Sequence, residues 1–352
     1  MMAGQAMPRI LFLGENWYGS SARACCYALR RLGCDVLDID IQTFIPQLRR
    51  RSSRAALRLL KGRLVREYNQ RILHAAADFR PDVLLAFKAP NVLPETLQAL
   101  RSAGISLYNY FPDRMAMARN TLLEQSIPEY DCIFDTKTSW DGDTAEHIKT
   151  RCSVFVPHGY DPELHKPADL DTRDLQELAC DVSVVATQLP MKEKLLEELL
   201  SLRPKLDLRI WGSQWDEYCR SNLVKKFVRG WTVTGTRYAK ILSAARINLG
   251  LMGVTPEIKD ETTTRTYEIP ACGGFMLHER APEVLRLYQE GKEMAAYGSV
   301  DELAQKIDYY LAHPDERQAI AQAGHQRCVP AYSYDNRMLE ILRWHNKVRG
   351  RS

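Results

Sequence analysis

Residues Thr262–Glu268, "TTTRTYE", set three hydroxyl residues ahead of a guanidinium and lead on to a carboxylate, and "IPACGGFML" follows. The segment lies between an apolar run ending near Met252 and another starting near Gly274, so it is predicted to open a helix at the edge of a sheet. A helix N-terminus offers unpaired backbone N–H groups and the positive end of a dipole. Thr262, Thr263 and Thr264 can cap that end or donate to an anion. Arg265 adds a charged fork that fits phosphate oxygens. Glu268, one turn on, could accept two hydrogen bonds from a vicinal diol. Gly273 and Gly274 permit a sharp turn and a close backbone approach. The ligand that matches all of these is a nucleoside diphosphate sugar, with diphosphate on the Thr/Arg end and ribose on Glu268. A plainer account uses the same residues as an N-cap, an i,i+3 salt bridge and a helix stop. Composition leaves both readings open.

The elements that must position these groups follow from periodicity. Short apolar runs at 9–13, 35–40, 82–87, 105–110, 131–135 and 152–156 read as strands. Helical patterns fall at 20–32, 54–79, 94–103, 115–126 and 139–149. Such alternation predicts a parallel sheet covered on both faces. Residues 157–174, rich in Pro, Asp and Gly, read as a linker. The pattern then restarts, with strands at 181–187, 207–212, 246–252 and 274–278. Helices are predicted at 190–202, 236–245, 264–272, 299–312, 314–327 and 334–348. The expected organisation is a doubly wound domain over 1–157, a linker at 158–173, a second such domain over 174–330 and a terminal helix in 331–352. Ligands of these sheets sit at the carboxyl ends of strands.

The bulk numbers exclude several classes. The chain has 352 residues, 26% of them charged, and a net charge of +4, too weak to indicate nucleic acid. Its nine cysteines are irregularly spaced and contain no CxxC, which predicts reduced thiols in a cytoplasmic protein rather than a disulfide framework or a zinc site. The N-terminal apolar run is too short for a secretory signal, and no stretch approaches the length of a membrane span.

The order "RTYEIPACGGFML", then "YGSVDELAQKIDYYLAHPDERQAIAQAGHQRC" and "YSYDNRMLEIL", closely resembles the C-terminal half of CgeB-like glycosyltransferases. These belong to the GT-B class and are similar to the retaining group 1 transferases. "RILFLGENW" and "YNYFPD" carry a looser likeness over 9–157. The resemblance implies two Rossmann-like domains facing a cleft, the second holding the nucleotide sugar and the first facing the acceptor, with a C-terminal helix crossing back to the first. It implies transfer of a sugar to an acceptor hydroxyl on a bacterial surface glycan, glycolipid or protein, with retention of configuration and without a cofactor or metal. Domain closure about 157–170 would exclude water. Glu268 matches the glutamate that holds donor ribose. Many relatives carry a second glutamate eight positions earlier, on the sugar. Here Asp260 stands there with Glu261 beside it, and either could serve. Relatives also place a basic residue near 184–200, aimed at the donor phosphates. Lys192 is the best match and Lys194 the second. Two rivals keep the same fold: an epimerase acting on free nucleotide sugar, and a non-catalytic binding subunit.

Other candidates have two readings each. Gly14, in "GENWYGSS", could let backbone approach the sugar or phosphate, or simply turn the chain into a helix capped by Ser20. The backbone of Val233 could read a base edge, with Trp231 and Tyr238 as base contacts or as core. Asp113, with Asn109 behind it, could take the acceptor proton, position the acceptor, or cap a helix near Met115. His158 is expected in a linker turn, and with His165 it lacks a third metal ligand. Three DxD patterns, Asp38/Asp40, Asp141/Asp143 and Asp169/Asp171, are as frequent as chance allows. Residues 49–66 carry eight basic residues and no acid, a face for anionic lipid or a plain solvated surface. Without interleaved aromatics it is not expected to bind nucleic acid.

Overall fold

The computed structural model describes residues 7–46, 51–137, 149–253 and 262–350, with the side chains of 51–56 and 116 outside the description. The chain divides into two compact units, residues 1–157 with 337–352, and residues 158–336. Asp260, Glu261 and the predicted helix at 139–149, which carries Asp141 and Asp143, lie outside the described residues or at their margin.

The first unit contains β1 (Arg9–Gly14), β2 (Asp35–Asp40), β3 (Val83–Phe87), β4 (Ser106–Phe111), β5 (Cys132–Asp135) and β6 (Ser153–Phe155). They form one sheet in the order β2-β1-β3-β4-β5-β6, and every pairing is parallel. Its helices include α1 (Ser21–Arg31), α2 (Arg51–Phe79), α3 (Pro94–Ser102) and α4 (Leu122–Ser126). Central strands buried on both faces need continuous apolar runs rather than alternation; β3 has one, and β4 is buried from Leu107 to Phe111 with Asn109 as its one amide. Ser20 caps α1 by accepting the Arg23 N–H at 3.0 Å. Buried Asn69 of α2 donates to Asn91 O at 2.9 Å and accepts the Leu93 N–H at 2.9 Å, which fixes α2 against the start of α3.

The second unit contains β7 (Val182–Val185), β8 (Leu208–Trp211), β9 (Val228–Gly230), β10 (Ile247–Gly250), β11 (Met276–Glu279) and β12 (Ala295–Tyr297). The order is β12-β11-β10-β7-β8-β9, again parallel. The chain runs outward from β7 to β9, then returns to place β10 on the other side of β7. The carboxyl ends of β7 and β10 therefore flank the point where the strand order reverses. The helices are α5 (Thr172–Leu178), α6 (Pro190–Leu202), α7 (Trp215–Tyr218), α8 (Asn222–Lys225), α9 (Gly235–Ala244), α10 (Arg265–Ala271), α11 (Pro282–Leu287), α12 (Val300–Ala312) and α13 (Pro314–Cys328). The last helix, α14 (Tyr334–Arg349), ends on the first sheet, where His345 Nδ1 hydrogen-bonds the Tyr108 hydroxyl at 2.8 Å and Trp344 packs edge-on to Tyr108 and Phe134.

Three expectations change. The helix predicted over 115–126 is a 3-10 turn at Met115–Ala118 followed by α4, because Asn120 takes a left-handed φ of 56° that interrupts it. The run read as a linker contains α5 from Thr172, and buried Tyr160 exchanges hydrogen bonds with Tyr332 and Tyr334 at 3.1 and 2.9 Å. Strands β9 and β12, three residues each, lie outside the expected set.

Candidate functional site

The opening residues of α10 meet the carboxyl end of β7. Arg265 Nε donates to Val185 O at 2.6 Å, and its Nη1 donates to Thr264 Oγ1 at 2.8 Å and to Glu268 Oε2. The Tyr238 hydroxyl, from α9, donates to the same carboxylate oxygen at 2.6 Å. The guanidinium also lies over the Tyr238 ring, 5.1 Å from its centre. Glu268 is 6% exposed, and a carboxylate that deep must be paired. Burial alone would raise its pKa, yet Arg265, then His165 and the Tyr238 hydroxyl, hold it below the ordinary glutamate value. The i,i+3 salt bridge of the plainer reading is thus present, and so is a cation at the strand-order switch point.

His165 completes the cluster. The Asp161 N–H donates to its Nδ1 at 3.0 Å, so Nδ1 is the unprotonated nitrogen and Nε2 carries the hydrogen. Nε2 faces Glu268 Oε1 at 3.9 Å. Burial keeps the His165 pKa below the ordinary histidine value, against the pull of Glu268. Sequence reasoning placed His165 in a linker and gave it no role. Nothing in the spacing signals it, because it lies 103 positions before its partner.

The threonines act differently from a hydroxyl cap. Thr264 stands at the N-cap with helical φ and ψ and makes no side-chain cap bond, since its oxygen accepts from Arg265. The Thr263 N–H donates to Thr266 Oγ1 at 3.1 Å, and Thr262 is buried. Lys192 is half-buried on the first turn of α6, while Lys194 is exposed and faces Glu198 at 3.8 Å. Val233 is half-buried and packs against the core cluster that contains Tyr238. Tyr238 itself is buried, and its hydroxyl is engaged by Glu268. A cavity of about 670 Å³ opens at the start of α6, lined in part by Gln188, Pro190, Lys194, Gln214, Tyr218 and Arg220, and none of Arg265, Glu268, Tyr238 or His165 lines it.

In the first unit, Gly14 ends β1 where an added Cβ would come within 2.9 Å of Ala22 Cβ. Its bare backbone lets α1 pack on the strand. Asp113, after β4, forms an ion pair with Lys88. Lys88 and Ala89 follow β3 with left-handed φ values of 59° and 44°, an arrangement that costs energy for non-glycine residues and recurs at functional sites. Buried Asn109 supports this turn by donating to Lys88 O at 3.1 Å. Lys88 was not foreseen, because its partner follows a different strand. Arg114, Asp135 and Lys137 are also buried at these strand ends. Of the DxD residues, Asp38 is held by Arg30 and Asn16, Asp40 caps a 3-10 turn, and Asp171 caps α5. Among the described residues, no helix is long and apolar enough to cross a membrane.

Residues 187–343 match a family model described as glycosyl transferase-like. The spore protein CgeB of Bacillus subtilis (strain 168) is 23% identical over 195 residues, which is 50% of this chain and 59% of that protein. Among solved structures, sucrose-phosphate synthase from Thermosynechococcus elongatus aligns with a TM-score of 0.67 at 11% identity, covering 98% of this chain and 100% of that one. Anabaena HepE in complex with UDP-glucose aligns with a TM-score of 0.66 at 13% identity, covering 97% and 100%. The architecture is the GT-B fold, with two parallel six-stranded sheets and flanking helices.

Proposed function

We propose that the protein is a glycosyltransferase that moves a sugar from a nucleoside diphosphate sugar to an acceptor hydroxyl, without a metal and with retention of anomeric configuration. One observation carries the reading: the Arg265–Glu268–Tyr238 cluster at the switch point of the second sheet, within the segment that matches the transferase family model. Departure of the diphosphate builds negative charge, which fixed cations stabilise without reorganising. Arg265, anchored on Val185 O, and Lys192 supply that charge. Glu268 Oε1, which neither Arg265 nor Tyr238 uses and which His165 Nε2 faces at 3.9 Å, is the oxygen that would take a ribose hydroxyl. Asp260 or Glu261 contacts the donor sugar. Asp113, paired with Lys88, positions the acceptor. As the acceptor oxygen bonds to the anomeric carbon, the bond to the diphosphate breaks, and the acceptor proton leaves with the diphosphate oxygen. The acceptor is a bacterial surface glycan, a glycolipid or a protein, modified in the cytoplasm.

UDP-sugars are the first donors to try, because the similarly folded HepE was solved with UDP-glucose. In a thermal-shift panel of UDP-, GDP-, dTDP- and CMP-sugars, with EDTA present, one nucleotide family is expected to raise Tm. At 100 times Kd the gain is about 2.7 kcal/mol. Glu268→Ala should lose the shift. No response to any nucleotide sugar would sink the donor site. Conversion of the free nucleotide sugar with no acceptor present would instead support the epimerase.

The basic part of α2 is the proposed contact with an anionic membrane. Leu59 and Leu60 are 89% and 53% exposed there, next to Arg58, Lys61 and Arg63. Lys and Arg near a surface contribute about 1 kcal/mol each. The protein should therefore sediment with phosphatidylglycerol vesicles at low salt and not with phosphatidylcholine ones. Replacing Leu59 and Leu60 by Ser together with Arg58 and Lys61 by Gln should abolish that. Equal sedimentation of the variant would remove α2 from the contact.

A further inference from the structure

We propose that Cys132 and Cys152 join in a reversible disulfide, which makes the pair an oxidative modification site of the first unit. Cys132 opens β5, and Cys152 directly precedes β6. The parallel register Ile133↔Ser153 sets the two side by side. Their sulfurs lie 3.0 Å apart, inside the contact distance of two unbonded sulfur atoms. A disulfide bond of about 2.05 Å needs only a closing movement of about an ångström. The Ile133 N–H donates to Cys152 O at 2.9 Å, so the backbone already holds this geometry.

The two thiols differ in the way an oxidisable pair requires. Cys152 is half-buried, whereas the other eight cysteines are buried. Burial, then the neighbouring Cys152 thiol, raises the Cys132 pKa. Cys152 is therefore the thiol that a soluble oxidant meets first. With oxidised glutathione, the Cys152 thiolate attacks one sulfur, a protein–glutathione bond forms, and one glutathione leaves as thiolate. Cys132 then gives its proton to solvent, attacks the Cys152 sulfur and expels the second glutathione. The protein dithiol loses two electrons, and one glutathione disulfide becomes two thiols.

The bond would fasten an edge. β6 is three residues long and, among the described residues, pairs only with β5. Beyond its carboxyl end the Val156 N–H donates to Asp135 O at 2.8 Å, and the Tyr110 hydroxyl donates to Pro157 O at 2.7 Å. Oxidation ties the amino end as well, and closes a loop between residues 20 positions apart. The inference is independent of the donor-site reading, since none of its groups takes part in it.

The test treats the full chain with oxidised glutathione, removes the excess, alkylates under denaturing conditions and maps the peptides by mass spectrometry. The expected result is a cross-linked pair of peptides holding Cys132 and Cys152, two fewer alkylated thiols than the nine in the sequence, and a Tm raised by about 5 °C. Dithiothreitol should reverse all three. Cys152→Ser should abolish them and keep the Tm of the reduced protein. If that variant does not fold, the cross-linked peptide of the native chain decides alone. Nine free thiols after treatment, a lasting glutathione adduct on Cys152, or a cross-link through any other cysteine would overturn the proposal.

Discussion

Arg265→Met is expected to lower kcat for sugar transfer by about 10²- to 10³-fold, the range seen when a fixed electrostatic donor is removed. It is also expected to destabilise the fold by about 3 kcal/mol. Glu268 is 6% exposed, and Arg265 is its charged partner on α10. Without the guanidinium, burial acts on the carboxylate with only Tyr238 and His165 to oppose it. Breaking a buried pair from one side costs more than the pair contributed, because an uncompensated charge remains. About a quarter of the Arg265 side chain stays exposed, which keeps the figure at the low end of the range. Glu268→Gln separates the two roles. The amide keeps the shape and an acceptor for the Tyr238 hydroxyl, so the fold should lose less than with Arg265→Met. Arg265→Lys retains charge but cannot span Val185 O, Thr264 and Glu268 together, and should fall between. Steady-state kinetics beside urea unfolding reads both effects. If Arg265→Met unfolds as predicted but keeps wild-type kcat/KM, the cluster is structural and the donor diphosphate binds elsewhere.

The strands and the cluster were legible for different reasons. Runs such as "RILFL" and "DVLLAF" announced strands because a parallel sheet covered on both faces needs apolar side chains on both. The chemistry at 262–268 was legible because the groups are neighbours in sequence. Its environment was not. That a carboxylate in a helix facing the core needs partners is a general rule, but which partners is a matter of chain return. Tyr238 arrives from the preceding helix, and His165 from a segment whose Pro and Asp content disguised a buried path. Lys88 reaches Asp113 through a strained turn that no composition announces. The short strands β9 and β12 exist through their pairing with β8 and β11, not through a pattern of their own.

Gly212→Ala should cost more than about 4 kcal/mol or prevent soluble expression, a loss seen only where a named steric or packing failure occurs. Gly212 follows β8 with φ of +144°, and an added Cβ would lie 1.9 Å from Ala186 O and 2.6 Å from Ala186 C. No rotamer relieves a clash between a Cβ and backbone. The carbonyl cannot retreat easily either. The buried Trp215 indole N–H donates to Ala186 O at 2.7 Å, and the Ala186 N–H donates to Trp211 O at 3.0 Å. The ends of β7 and β8 are thereby pressed together, one residue beyond Val185, whose carbonyl receives Arg265 Nε. Partial accommodation would shift the anchor of Arg265, so any folded Gly212→Ala protein should also lose donor binding. Gly62→Ala is the control. It lies exposed in α2 with nothing within 4 Å of its added Cβ, and it should gain about 0.5–1 kcal/mol from helix propensity. Urea midpoints of the two variants and the parent make the comparison. An unchanged midpoint for Gly212→Ala would mean that β7 and β8 do not approach as described, and the position assigned to Arg265 would fall with them.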